Sequence, residues 1–313
     1  MKMTSKYQES LNRMPAKKQG RHTYLMTIGN YAAMDGVAPA QVCEDIRRIA
    51  PDMDDAEITD AVMKAAKHHG ACGQAYHFPP KPAPLVNNGQ AALQRIISQG
   101  TISDDADLWE ASPIRLCDPP ETDPCMLLNT LFRPEEMVFI GDRLEPGVVG
   151  LNLRTVAAWV VHFATGGKAG PYIIVNPFTG KAAPKKSGDG ESYRCDGSIA
   201  SYPHCLVEFD GLTRENQIRF WSAAKLPILA LIDSGGKSIH AWLDVRKLFT
   251  VMTIAEWDQH IKIGLYEKIL VPLGVDRACC NPSRLSRLPG CFREEHGRFQ
   301  RLLWLSPTGR EVT

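Results

Sequence analysis

No apolar run in the sequence reaches the roughly 18 residues that a membrane-spanning helix needs. The polar first twenty or so residues also lack the apolar stretch of a signal peptide. The expectation is a cytoplasmic protein without a membrane partner. None of the nine cysteines forms a C-x-x-C, although Cys279 and Cys280 are adjacent. That speaks against a disulfide framework and against a paired-thiolate zinc module, and reduced, buried thiols are expected. Charge of one sign is missing too. Lys and Arg number 36 against 35 Asp and Glu, a net +1, so any surface for nucleic acid must be a local patch. No internal repeat is apparent. What is present is ordinary for a globular chain of 313 residues: 44% hydrophobic and 23% charged, enough for one large domain or two smaller ones.

Local patterns divide the chain into four. Residues 1–21 read as a flexible basic tail. Residues 22–76 read as a small helical module, with Leu25, Ile28 and Ala32 at helical spacing, then Val42, Ile46 and Ile49, then Ile58, Val62 and Ala65. Gly36 breaks the first run, Asp54-Asp55 supplies a cap for the third, and Gly70 is a stop. Residues 77–109 read as a proline-rich linker followed by a short helix. The acidic stretch Asp104 to Asp123 suggests a surface loop. Residues 110–313 read as one long α/β region, in which residues 181–191 form a polar turn between strands.

Three segments of that region carry chemistry. Residues 205–210, CLVEFD, lead an apolar approach into Glu208 and Asp210. On a strand, residues i and i+2 share a face, roughly 7 Å apart, so both carboxylates can enter one site and hold divalent cations. E-x-D alone describes a strand end with two solvated acids equally well. The second segment, residues 226–245, is an apolar strand, a Ser234-Gly235-Gly236 turn, and a run in which Ile239, Ala241, Leu243 and Val245 alternate with Ser238, His240, Trp242 and Asp244. Period two predicts a β-hairpin with Lys237, Ser238 and His240 near its mouth. Its G-K-S is not a P-loop: the required first glycine is Leu231, and a strand follows where a helix must. A glycine turn beside a lysine and a histidine still suits nucleotide phosphates. In the third segment, residues 274–293, Asp276 follows an apolar approach, and Arg284 and Arg287 precede Leu288-Pro289-Gly290. Two such arginines can clamp phosphate or simply pair with surface acids.

In this order, E-x-D, then S-G-G-K-S-x-H, then D with N-P-S-R-L-S-R-L-P-G, the set resembles the three motifs of the archaeo-eukaryotic primase superfamily, in particular its phage and plasmid branch. Glu208 stands where the first motif is usually written with aspartate. Residues 131–142, 171–180 and 192–210 are similar to segments that precede the first motif, so the resemblance covers about residues 110–313. The helical module resembles small domains that accompany such primases.

The resemblance implies an α/β (α+β) catalytic domain with an RRM-like antiparallel sheet. It also implies DNA primase or primase-polymerase activity in mobile-element replication. Glu208, Asp210 and Asp276 would be catalytic ligands of two Mg²⁺ or Mn²⁺ ions. Lys237, Ser238 and His240 would hold the triphosphate, with Arg284 and Arg287 on nucleotide or template. The implied partners are single-stranded DNA, nucleoside triphosphates and a separately encoded helicase.

A metal-dependent nuclease would use the same acids, and a non-catalytic replication initiator would bind DNA without chemistry. Zinc is not expected: His68, His69 and Cys72, or Cys195 with His204 and Cys205, lack the usual ligand spacing. Lys64 and Lys67 suit either a DNA-binding helix or a helix dipole.

Overall fold

The computed structural model describes residues 5–15, 21–70, 88–186, 188 and 190–312. They fall into two compact units, Met1–Pro84 and Leu85–Thr313.

The first unit is helical: Lys6–Asn12, Arg21–Met34, Pro39–Ile49 and Asp55–Gly70. The apolar positions at helical spacing form its core, with Leu25, Ile28, Val42, Ile46, Ile58 and Val62 buried. Ile49 is the exception; it is 41% exposed at the end of its helix. Gly29 lets two helices touch, since a Cβ there would sit 2.8 Å from the Ala65 Cβ. Gly36 adopts φ 73°, ending the second helix as a left-handed residue. A flexible tail over residues 1–21 is not what forms at Lys6–Asn12. Ser5 caps that helix, Tyr7 and Leu11 are buried, and the Tyr7 hydroxyl donates to Asp45 at 2.8 Å. The tail reading weighed the basic residues and missed the Tyr7–Leu11 i,i+4 apolar pair. The side chains of His68 and His69, Cys72, and the proline-rich stretch 77–87 lie outside the described residues.

The second unit begins before the expected boundary at 110. Helix Asn88–Gln99 buries Leu93 and Ile97 in the unit's own core and packs on helix Arg214–Ala223. Nor is Asp104 to Asp123 a surface loop throughout. It contains helix Asp105–Glu110, capped by Asp104, and buries Leu108, Leu116 and Asp123. The Asp123 carboxylate accepts the Leu302 N–H at 2.9 Å and Arg301 Nε at 3.1 Å, which ties this stretch to the last strand.

Among the described residues the sheets are antiparallel, two of four strands and two of two strands. Of the four-stranded sheets, one runs in the order Leu153–Thr155, Met137–Gly141, Tyr172–Ile174, Leu285–Arg287; the other runs Arg301–Arg310, Ile228–Asp233, Ile239–Asp244, His204–Val207. The expected hairpin is present, Ile228–Asp233 pairing with Ile239–Asp244. All six residues of Ile239–Asp244 are buried. The strand is interior to its sheet and both faces are covered, so its alternate polar residues reach buried partners rather than water.

Candidate active site

Strand pairing sets the centre of the site. Strand His204–Val207 runs antiparallel to Ile239–Asp244, with Val207 opposite Ala241. One residue beyond the end of that strand, Glu208 comes level with His240, and its Oε1 lies 3.5 Å from His240 Nε2. The other ring nitrogen, Nδ1, accepts the Arg287 backbone N–H at 3.2 Å. An accepting Nδ1 leaves the proton of a neutral imidazole on Nε2, facing Glu208. Phe209 is buried between Glu208 and Asp210, so the two acids face the opposite way from the core, as period two requires.

The third segment joins through the backbone. The Asp276 N–H donates to the Glu208 carbonyl at 2.9 Å. Asp276 caps the short 3₁₀ turn Arg277–Cys280, its Oδ1 accepting the Ala278 N–H at 2.9 Å. Its Oδ2 lies 3.5 Å from Arg284 Nη2. Cys279 completes the cluster, its sulfur 3.9 Å from Glu208 Oε2 and 3.8 Å from Asp276 Oδ2. One ligand atom each from Glu208, Asp276 and Cys279 lie within 4.8 Å of one another.

Burial raises the Glu208 pKa, but hydrogen bonding from His240 and Ser238 and the nearby Arg284 guanidinium outweigh it and hold the group at about 2. Burial pushes the Cys279 thiol up, so it faces the carboxylates protonated. Two carboxylates directed at one point, with one arginine beside them, are a donor set that suits a divalent cation. Asp210 is exposed and lies outside that cluster, although it lines the same cavity as Glu208.

Two basic cavities flank the Glu208–His240 pair. The larger, about 570 Å³, is lined by Asp210, the 234–238 turn, Arg287, Arg293, His296 and Arg298. Gly235 has φ +68°, and a Cβ on it would lie 2.9 Å from Arg293 Cδ. Arg293 can therefore cross the turn, and its Nη1 donates to the Ser234 carbonyl at 3.0 Å. Lys237 is exposed at the mouth, while Ser238 and His240 are buried along the wall. The second cavity, about 340 Å³, is lined by Arg143, Arg194, Arg284, Asn281 and Ser283. Arg287 belongs to both and stacks its guanidinium over Tyr172 at 4.4 Å. A third cavity, about 790 Å³, shares Arg298 with the first and is also lined by Asp233, Trp109, Phe292 and Phe299.

Glu208, Asp210, Asp276, Lys237, Ser238, His240, Arg284 and Arg287 thus all lie on this cluster or its two cavities. Sequence reasoning missed Cys279, Arg293, His296, Arg298, Arg143 and Arg194. Cys279 had a local signal: it lies three residues after Asp276, one 3₁₀ turn away. Arg143 and Arg194 reach the site from distant segments and had none. Of the zinc alternatives, His204 Nδ1 lies 2.7 Å from the Val175 carbonyl oxygen, and Cys205 is a buried thiol. Cys195 contacts the carbonyls of Ser192 and Ala183.

No family model and no curated protein matches the sequence. Among solved structures, the chain is similar to the AEP domain of the primase-polymerase (PrimPol) of cyanophage S-2L, with 19% sequence identity and a TM-score of 0.40. The match covers 62% of this chain and 96% of that one.

Proposed function

We propose that the chain is a metal-dependent nucleotidyltransferase of the archaeo-eukaryotic primase type, a primase or primase-polymerase that copies single-stranded DNA from nucleoside triphosphates. The observation that carries this reading is the convergence of three segments far apart in sequence. Glu208, His240 and Asp276 meet at one point, and a basic glycine turn lies beside them.

Glu208 and Asp276 would hold a divalent cation, with Asp210 serving a second one bound together with the nucleotide. Such ions lower the pKa of an attacking hydroxyl and offset charge at a phosphorus undergoing in-line displacement. The remaining tasks fall to the protein. Lys237, Arg293 and Arg298 match the charge of a triphosphate, and Ser238 and the turn's backbone offer donors to its oxygens. His240 is fixed by the Arg287 N–H, which orients its Nε2–H toward the reacting centre. Arg143, Arg194 and Arg284, on the other side, suit the phosphodiester backbone of primer or template. The 3′-hydroxyl attacks the α-phosphorus and pyrophosphate leaves. A nuclease needs the acids but has no use for the triphosphate-sized basic cavity beside them.

The test is primer synthesis on single-stranded DNA with labelled nucleotides and Mg²⁺ or Mn²⁺. Wild type is compared with the Asp210→Ala, Asp276→Ala double variant. Product from wild type alone is expected, and use of NTPs or dNTPs separates RNA from DNA synthesis. Acid-dependent degradation of the DNA would instead establish a nuclease, and tight DNA binding with no chemistry would establish an initiator.

A further inference from the structure

The acid pair has a third wall, and it is sulfur. Cys279 is fully buried, yet its Sγ is directed at Glu208 Oε2 (3.9 Å) and Asp276 Oδ2 (3.8 Å). The placement follows from the turn. Asp276 is the cap of a 3₁₀ turn and Cys279 lies three residues on, and in 3₁₀ geometry residues i and i+3 eclipse. Three backbone and side-chain ties hold it there. The Cys279 N–H donates to the Asp276 carbonyl at 3.1 Å, the Asp276 N–H to the Glu208 carbonyl at 2.9 Å, and Trp257 Nε1 to the Cys280 carbonyl at 2.8 Å. Glu208 divides its oxygens between two tasks: Oε1 faces His240 and Oε2 faces the sulfur.

An ion bound between Oε2 and Oδ2 would therefore meet a sulfur as its next protein donor. Sulfur changes which ion is favoured. Mg²⁺ takes oxygen ligands in a near-ideal octahedron, whereas a thiolate is a soft ligand that favours zinc-like ions, and the Cys279 thiol gives up its proton to solvent as such an ion binds. Metal–sulfur bonds of about 2.3 Å and metal–oxygen bonds of about 2.0–2.2 Å fit three donors this close together after small side-chain movements. Arg284, beside Asp276, offsets part of the negative charge that such a donor set gathers.

We propose that Cys279 is a third protein ligand of the ion held by Glu208 and Asp276, making this a mixed oxygen–sulfur site that favours thiophilic divalent cations such as Co²⁺, Zn²⁺ or Cd²⁺ over Mg²⁺. The proposal rests on Glu208 and Asp276 being the cation ligands of the proposed function. It does not require that the chain polymerise anything.

The experiment is a Co²⁺ titration of the reduced full chain, followed by absorption. Wild type is expected to show a near-ultraviolet sulfur-to-cobalt charge-transfer band. The band is lost in Cys279→Ser and retained in Cys280→Ser. Cys279→Ser still binds the ion, through oxygen, but more weakly for Cd²⁺ by at least the roughly 10–100-fold that loss of an outer-shell partner costs. Co²⁺ binding that depends on Glu208 but shows no sulfur band, or a band that survives Cys279→Ser, overturns the proposal and leaves the acid site intact. Binding indifferent to both Glu208→Gln and Asp276→Asn, or no binding at all, overturns the proposal and the ligand assignment together. Primer synthesis by the same preparations judges the nucleotidyl-transfer reading separately.

Discussion

Two acidic groups in the second unit, one buried and one half-buried, show how surroundings decide what a carboxylate is for. Asp233 ends the first strand of the hairpin, and its side chain is 3% exposed. It faces Arg214 at 3.1 Å and Arg298 at 2.9 Å, and its Oδ1 accepts the Gly235 N–H at 2.9 Å. Its charge is matched twice over, its lone pairs are occupied, and it locks the glycine turn. Glu208 faces a second carboxylate, a thiol and an imidazole; Arg284 sits on Asp276, Arg287 lines the same cavities, and among the described residues no guanidinium pairs directly with Glu208. Its negative charge is left over. A surplus of that kind calls for a cation from solution, whereas the deficit at Asp233 calls for nothing.

The comparison is broken most directly by neutralising each acid in turn. Glu208→Gln keeps the shape and removes the surplus. Primer synthesis should fall by at least on the order of 10²–10³-fold, the cost of losing one preorganised electrostatic element, with no loss of thermal stability. Asp233→Ala should do the reverse to stability. Leaving two guanidiniums without their buried acceptor costs about 3 kcal/mol, which for a unit of this size lowers Tm by about 6–12 °C. Thermal melts and primer-synthesis rates on both variants decide it. If Glu208→Gln destabilises as much as Asp233→Ala, both acids are structural and the distinction fails.

Asp210 sharpens the contrast. It is exposed and has no place in the Glu208–Asp276–Cys279 cluster, but it lines the cavity beside the basic turn. Asp210→Asn should leave cation affinity of the free protein within about twofold, while Glu208→Gln weakens it by on the order of 10–100-fold. With nucleoside triphosphate present, Asp210→Asn should weaken cation binding as well. Calorimetric titration of Mn²⁺ with and without nucleotide measures both. Equal losses without nucleotide would place Asp210 on the same ion as Glu208.

Much of this was legible from residues 205–293 because strand arithmetic is strict. The E-x-D spacing, the glycine turn and the period-two run are local patterns, and pairing them puts Glu208 beside His240. Helical spacing likewise found the core of the first unit, apart from Ile49. What escaped depended on long-range contact. Helix Asn88–Gln99 lies in a segment introduced by prolines, and only its packing on Arg214–Ala223 assigns it to the second unit. Arg143 and Arg194 enter from loops with no motif. Cys279 stands in no C-x-x-C pair; its neighbours in the cluster are the carboxylates of Glu208 and Asp276 instead.

The smallest effect tests the same rule on buried groups with no surplus to offer. His204 Nδ1 lies 2.7 Å from the Val175 carbonyl and so carries the proton; Nε2 has no hydrogen-bond partner among the described residues. Protonating Nε2 would bury an unpaired N–H, and burial lowers the His204 pKa to about 4. Between about pH 6.5 and 4 the unfolded chain therefore binds a proton that the fold refuses, and stability falls with acid. Asp123 runs the other way. Its Oδ1 has no partner among the described residues, and burial raises its pKa to about 6 against the pull of Leu302 N–H and Arg301. From about pH 6 to 4 the fold keeps a proton that the unfolded chain releases, and stability rises with acid. Each contributes a slope of up to about 1.4 kcal/mol per pH unit, of opposite sign, so in wild type they nearly cancel across that window. Asp123→Asn should uncover the His204 slope, losing stability relative to wild type as pH drops from 6 to 4. His204→Gln should gain stability relative to wild type over the same range. Urea unfolding at several pH values reads both, and curves that stay parallel to wild type would mean that neither buried group titrates as its surroundings demand.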